Sequence, residues 1–97
     1  MNIELTERES NGHFAAIDGN KEAGRLSFSL PAENQMIIES TRVSKEFEGR
    51  GIGKNLVVAA VEYARKNKLT VIPSCPFARK VIDRDESLQD VLDIQVP

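Results

Sequence analysis

Gly49, Gly51 and Gly53 stand at alternate positions in the stretch EFEGRGIGKNLV, and the apolar pattern of the chain changes period across them. Ahead of them, GRLSFSL places Leu26, Phe28 and Leu30 on one side and Arg25, Ser27 and Ser29 on the other, the period of a half-buried strand. Beyond them, Ile52, Leu56, Ala59, Ala60 and Tyr63 recur at helical spacing, while Lys54, Glu62, Arg65 and Lys66 fall elsewhere. Asn67 is a helix stop, and LTVIP then returns to a short β-rich run. The order strand, glycine loop, helix, strand over Gln35 to Pro73 leaves few folds open. Two strands that flank one helix in a single sheet join through a right-handed parallel crossover. The helix then starts at the C-terminal end of the first strand, in the crevice where such units take ligands.

The rest of the first half is strand-like. NIELTERE and GHFAAID predict two strands, and Asp18-Gly19-Asn20 is a hairpin turn of the Asp-Gly type. Pro31 to Asn34 makes the next turn, and QMIIESTRV a fourth strand, with Met36, Ile38 and Val43 facing the core. The expected class is therefore α+β or α/β, an antiparallel four-stranded meander followed by the crossover unit. A short C-terminal helix is expected over FARKVIDR and a turn at SLQDVL. The mixed-charge C-terminal stretch reads as a solvated helix face and a frayed tail.

A chain of 97 residues suits one domain, here residues 1–97, and Leu, Ile, Val and Phe make up 27 of them, enough for a modest core. The net charge of -2 gives no global attraction to a polyanion, so nucleic acid is not the expected partner. The one cysteine, Cys75, and the one histidine, His13, allow no internal disulfide, no cysteine zinc cage and no conventional triad, and no metal is expected. The start MNIELTERES is acidic where a secretory signal needs an apolar core, and no apolar run reaches a membrane span. A cytoplasmic protein is expected.

A helix start leaves several N–H groups without intrahelical partners and carries about half a positive charge. Glycines ahead of it let the backbone take positive φ and approach phosphate oxygens with no Cβ in the way, and Arg50 and Lys54 add cations. A tight strand-to-helix turn explains the glycines as well, and both readings stand. Two known cradles fail on spacing. A Walker A loop ending at Gly53-Lys54 needs Gly where Glu48 stands and Ser or Thr where Asn55 stands. A dinucleotide loop starting at Gly49 needs a third glycine where Lys54 stands.

The pyrophosphate loop of the GNAT acetyltransferases, Q/R-x-x-G-x-G/A, places its two glycines at Gly51 and Gly53. The chain as a whole resembles the short stand-alone GNAT-like family often called YjdJ-type, on Thr41 and Val43, then GRGIG, then VIPSCPF at residues 71 to 77, then Asp90-Val91-Leu92. It departs from that pattern twice. Glu48 stands where the loop has Gln or Arg, and Ser40 where a His often precedes the Thr.

The resemblance implies an acetyl-CoA-dependent N-acetyltransferase acting on a primary amine, with a protein or peptide as the suited acceptor. It implies that the fourth and fifth strands splay, that Val43 meets the pantetheine arm, and that Gly49, Arg50, Gly51, Ile52, Gly53 and Lys54 hold the pyrophosphate. Ser40 and Thr41 would line the cleft. Cys75, just ahead of a helix, would supply a thiol for acyl or proton transfer, and it equally suits a small buried niche. The Glu46-Glu48 pair is read as a base near the amine or as a solvated loop, Tyr63 as core, and His13 as a surface or edge-strand residue. Two other classes remain: a module that binds CoA or acyl-CoA without turnover, favoured by Glu48 and Ser40, and a small structural domain.

Overall fold

The computed structural model describes residues 1–92; the expected frayed tail, residues 93–97, lies outside the described residues. Strands β1 (Asn2–Glu7), β2 (Asn11–Asp18), β3 (Lys21–Ala32) and β4 (Gln35–Val43) run as an antiparallel meander. Helix α1 (Ile52–Lys66) crosses over to β5 (Thr70–Pro73), which pairs with β4 in parallel, and helix α2 (Pro76–Asp83) follows. The sheet order is β1-β2-β3-β4-β5. Two 3-10 turns, Lys45–Phe47 and Glu86–Val91, flank the helical part. The expected α+β arrangement is what forms.

Local sequence accounts for most of this. Gly19, at φ +64°, closes the β2–β3 hairpin between the paired Asp18 and Lys21. Strand β3 runs longer than its alternating core, starting before Gly24 and taking in Pro31. Pro76 opens α2 at its first position, where its missing N–H costs nothing. Strand β1 is the exposed edge, with Glu4 and Glu7 among its charges.

Leu26, Phe28, Met36 and Ile38 of the sheet pack against Leu56, Val57, Ala60, Val61 and Ala64 of α1 in one core. The buried stripe of α1 is rotated by about one position from that expected. Ala59 and Tyr63 lie at its border, half-buried, and Val57, Val61 and Ala64 take the centre. Tyr63 reaches the core by its ring, edge-on to Phe14 with centroids 5.7 Å apart and 5.6 Å from Phe28.

Arg65 holds the C-terminal turn against α1 through a two-pronged contact with Asp90, Nε to Oδ2 at 2.9 Å and Nη2 to Oδ1 at 2.6 Å, and a further bond to the Ser87 carbonyl. Among the described residues no helix is long and apolar enough to cross a membrane.

Candidate functional site

The site begins with one extra residue in β4. Ser27 pairs with Ser40 and Phe28 with Ile38, so Glu39 is a bulge with no partner. A bulge shifts the parity of a strand and bends it. Before it, Met36 and Ile38 face the core; after it, Thr41, opposite Leu26, and Val43, opposite Gly24, take that side. Ser40, opposite Ser27, points to the other face.

At the same place β4 leaves β5. Their parallel pairing ends at Ile38 and Pro73, and the last link is the Cys75 N–H donating to the Ile38 carbonyl at 3.1 Å. Beyond it β4 runs on from Glu39 to Val43 without β5 as a neighbour.

The chain then turns through the 3-10 segment, which buries Phe47, and enters the glycines. Gly49 (φ +82°) and Gly51 (φ +74°) both take the left-handed conformation, and a Cβ added at either would meet nothing within 4 Å. Gly51 is the N-cap of α1, its carbonyl accepting the first helical bond from the Asn55 N–H at 3.0 Å. No side chain caps this end, and the first turn holds no carboxylate but does hold Lys54. A cation at the positive end of a helix is unfavourable by itself. The combination becomes favourable when an anion sits between Lys54 and the free N–H groups.

Gly53 serves a different end. A Cβ there would lie 2.7 Å from Cζ and 2.8 Å from Cε2 of Phe77, so this glycine admits the ring of α2 against α1. Overpacking costs about 1–3 kcal/mol. Ala exceeds Gly in helix propensity by about 1 kcal/mol, and the Phe77 ring, 42% exposed, can swing outward. We therefore expect Gly53→Ala to lower stability by about 1 kcal/mol in urea unfolding. In a Phe77→Leu background the same change should be neutral or stabilising, and an equal loss in both backgrounds would show that the ring is not the cause.

These elements line an open cleft of about 520 Å³. Thr41 and Val43 form its strand side, Gly49, Gly51, Ile52, Gly53 and Lys54 its loop side, and Phe77 and Val81 its α2 side. Phe47 and Glu48 complete the lining. Of the residues singled out from sequence, Arg50, Ser40 and Cys75 are not in this lining. The Arg50 guanidinium lies over the Phe47 ring, 5.3 Å from its centroid. Glu46 lies outside it too, paired with Lys21 at 3.3 Å.

Phe77 and Val81 were not legible as site residues. The only signal was the Pro76-Phe77 pair opening an amphipathic helix, which a core phenylalanine gives equally. Phe47 was hidden in a charged loop.

Cys75 is the N-cap of α2 and is buried, 6% exposed. Its Sγ donates to Thr41 Oγ1 at 3.6 Å, which ties the thiol to the lining of the cleft. Burial pushes the thiol pKa up. The N–H of Ala78, the Thr41 hydroxyl and the N–H groups of Phe77 and Thr41 pull it down, and the balance lies below the ordinary thiol value. Among the described residues no cluster of His, Cys, Asp and Glu could hold a metal ion.

A family model described as GCN5-related N-acetyl-transferase matches residues 13–91. The solution structure of a Staphylococcus aureus protein assigned as a GCN5-like N-acetyltransferase superposes with a TM-score of 0.72 at 34% identity, covering 99% of this chain and 92% of that one. The ribosomal-protein-alanine N-acetyltransferase of Brucella melitensis shares the fold, with a TM-score of 0.68 at 17% identity over 79% of this chain and 62% of its own. So does a Bacillus anthracis protein assigned as a streptothricin acetyltransferase, in complex with acetyl coenzyme A, with a TM-score of 0.59 at 21% identity over 68% of this chain and 38% of its own. No curated protein sequence matches significantly. The parted strands, the glycine loop at the head of α1 and the match over residues 13–91 agree: the chain belongs to the GCN5-related N-acetyltransferase family.

Proposed function

We propose that this protein is a minimal N-acetyltransferase that takes an acetyl group from acetyl-CoA and passes it to a primary amine. The observation that carries the reading is the pair of left-handed glycines with open space around them, at an uncapped helix start where β4 parts from β5. The N–H groups of α1 and Lys54 would hold the pyrophosphate, and the edge of β4 at Val43 would hold the pantetheine amides. A cleft of about 520 Å³ is of the size that takes a cofactor.

Cys75 and Thr41 stand at the chemical end. The lowered thiol pKa favours Cys75 as nucleophile over a reserve of protons. The Cys75 thiolate attacks the thioester carbonyl, the bond from that carbon to the CoA sulfur breaks, and the departing sulfur takes the proton that the thiol gave up. The acceptor amine then attacks the acetyl group on Cys75, the carbon–sulfur bond breaks, and the proton lost by nitrogen returns to Sγ. Thr41 accepts from the thiol at 3.6 Å and, by rotating its hydroxyl, donates to the thiolate.

A protein or peptide amine suits the open cleft better than an enclosed metabolite does. The near-complete mutual coverage with the Staphylococcus aureus protein supports reading residues 1–97 as one domain. Glu48 in the lining favours the competing reading, a module that binds acyl-CoA without turnover, because its carboxylate opposes an anion.

Calorimetric titration of acetyl-CoA, followed by mass spectrometry of a lysine peptide incubated with protein and acetyl-CoA, separates the possibilities. One-to-one binding with peptide acetylation is expected. Binding with no acetyl on peptide or protein would select the non-catalytic module, and no heat would leave the loop as a structural turn.

A further inference from the structure

A second cavity, of about 310 Å³, adjoins the cleft and shares Lys54, Phe77 and Val81 with it. Its remaining lining is Lys80, Arg84 and Asp85. Positions 77, 80, 81 and 84 follow the stripe of one helical face, so Lys80 of α2, Arg84 at its C-cap and Lys54 of α1 converge on one cavity. Three cations face one carboxylate in a chain whose net charge is -2. The local sign is the reverse of the global one.

The single carboxylate is already engaged. Asp85 Oδ1 accepts from the Ser87 N–H at 3.0 Å and from the Ser87 hydroxyl at 2.6 Å, capping the 3-10 turn. Among the described residues the ion pairs use Lys21, Arg25 and Arg65, and none uses Lys54, Lys80 or Arg84.

We infer that this second cavity binds the 3′-phosphate of coenzyme A and makes the protein discriminate CoA from its dephosphorylated form. The inference rests on the acetyl-CoA reading of the glycine cleft. Between the two phosphate sites the half-exposed Phe77 ring and Val81, common to both cavities, offer the apolar surface on which the adenosine lies. Lys54 faces both sites, whereas Lys80 and Arg84 face only the second. These two carry the discrimination.

The test is calorimetric titration of CoA and 3′-dephospho-CoA into the wild type and a Lys80→Gln/Arg84→Gln variant. Both side chains are exposed, so the variant keeps its core. The wild type should bind CoA about tenfold more tightly than dephospho-CoA, the scale of a charge-assisted phosphate contact. The variant should bind CoA as weakly as the wild type binds dephospho-CoA, with its dephospho-CoA affinity unchanged. That unchanged affinity also certifies its fold.

Equal wild-type affinities for the two ligands would overturn the subsite alone and leave the glycine cleft standing. So would a variant that loses both ligands in equal measure. Failure of the wild type to bind either ligand would overturn the subsite together with the acetyl-CoA reading on which it rests.

Discussion

Gly51→Val will weaken acetyl-CoA binding by about a hundredfold or more, about 2.8 kcal/mol, in calorimetric titration. At φ +74° an L residue pays about 1–2 kcal/mol, and a β-branched one more. The chain can escape that strain only by rotating the peptide planes that aim the first N–H groups of α1. If it does not escape, the added side chain stands in the open space beside the loop. Either outcome spoils an anion site built from backbone.

Strain alone could lower affinity by loosening the fold, so a matched control is needed. Gly19→Val supplies it: Gly19 has φ +64°, equally open surroundings and a place in the β2–β3 hairpin, outside the cleft lining. Both variants should lose a similar amount of stability, and only Gly51→Val should lose the ligand. Retained affinity in both would remove the loop from the site.

The architecture was legible because each element carries its own local signal. The period-two run around Leu26 and Phe28, the Asp18-Gly19 turn and the helical run closed by Asn67 fix elements without reference to one another. The parallel crossover then follows from chain order.

What local pattern cannot carry is the bulge at Glu39. No glycine or proline marks it, because it is set by the register against β3. Its consequence falls on the site. Sequence placed Ser40 and Thr41 together in the cleft, yet neighbours on a strand face opposite ways, and the bulge turns Thr41 inward and Ser40 outward. Gly53 shows the complementary limit. Its spacing matches a phosphate loop, while its tightest contact is the ring of Phe77, 24 residues away.

Cys75→Ala is the second large effect. Turnover of acetyl-CoA with an amine acceptor should fall by about a thousandfold, the scale of losing a group engaged at the reacting atoms. The one-acetyl gain in protein mass should vanish, while affinity for acetyl-CoA should be nearly unchanged, since the α1 N–H groups, Lys54 and the β4 edge, not Cys75, would hold the CoA moiety. A cysteine that only fills a niche predicts another pattern: a small stability loss with turnover intact.

The pH dependence sharpens the distinction. Because the folded thiol pKa is lowered, alkylation of Cys75 by iodoacetamide should rise with pH and level off below the range of a free thiol, about 8.5. Thr41→Val removes the hydroxyl that supports the thiolate at 3.6 Å, so its inflection should move upward while the buried backbone donors keep part of the effect. The linkage sign is that of an acid depressed by folding. The stability contributed by the thiolate is fully present above the unfolded pKa and is lost as pH falls through the folded one. A wild-type profile at or above that of a free thiol, unmoved by Thr41→Val, would leave Cys75 a buried small residue and transfer the chemistry to direct attack by the acceptor amine.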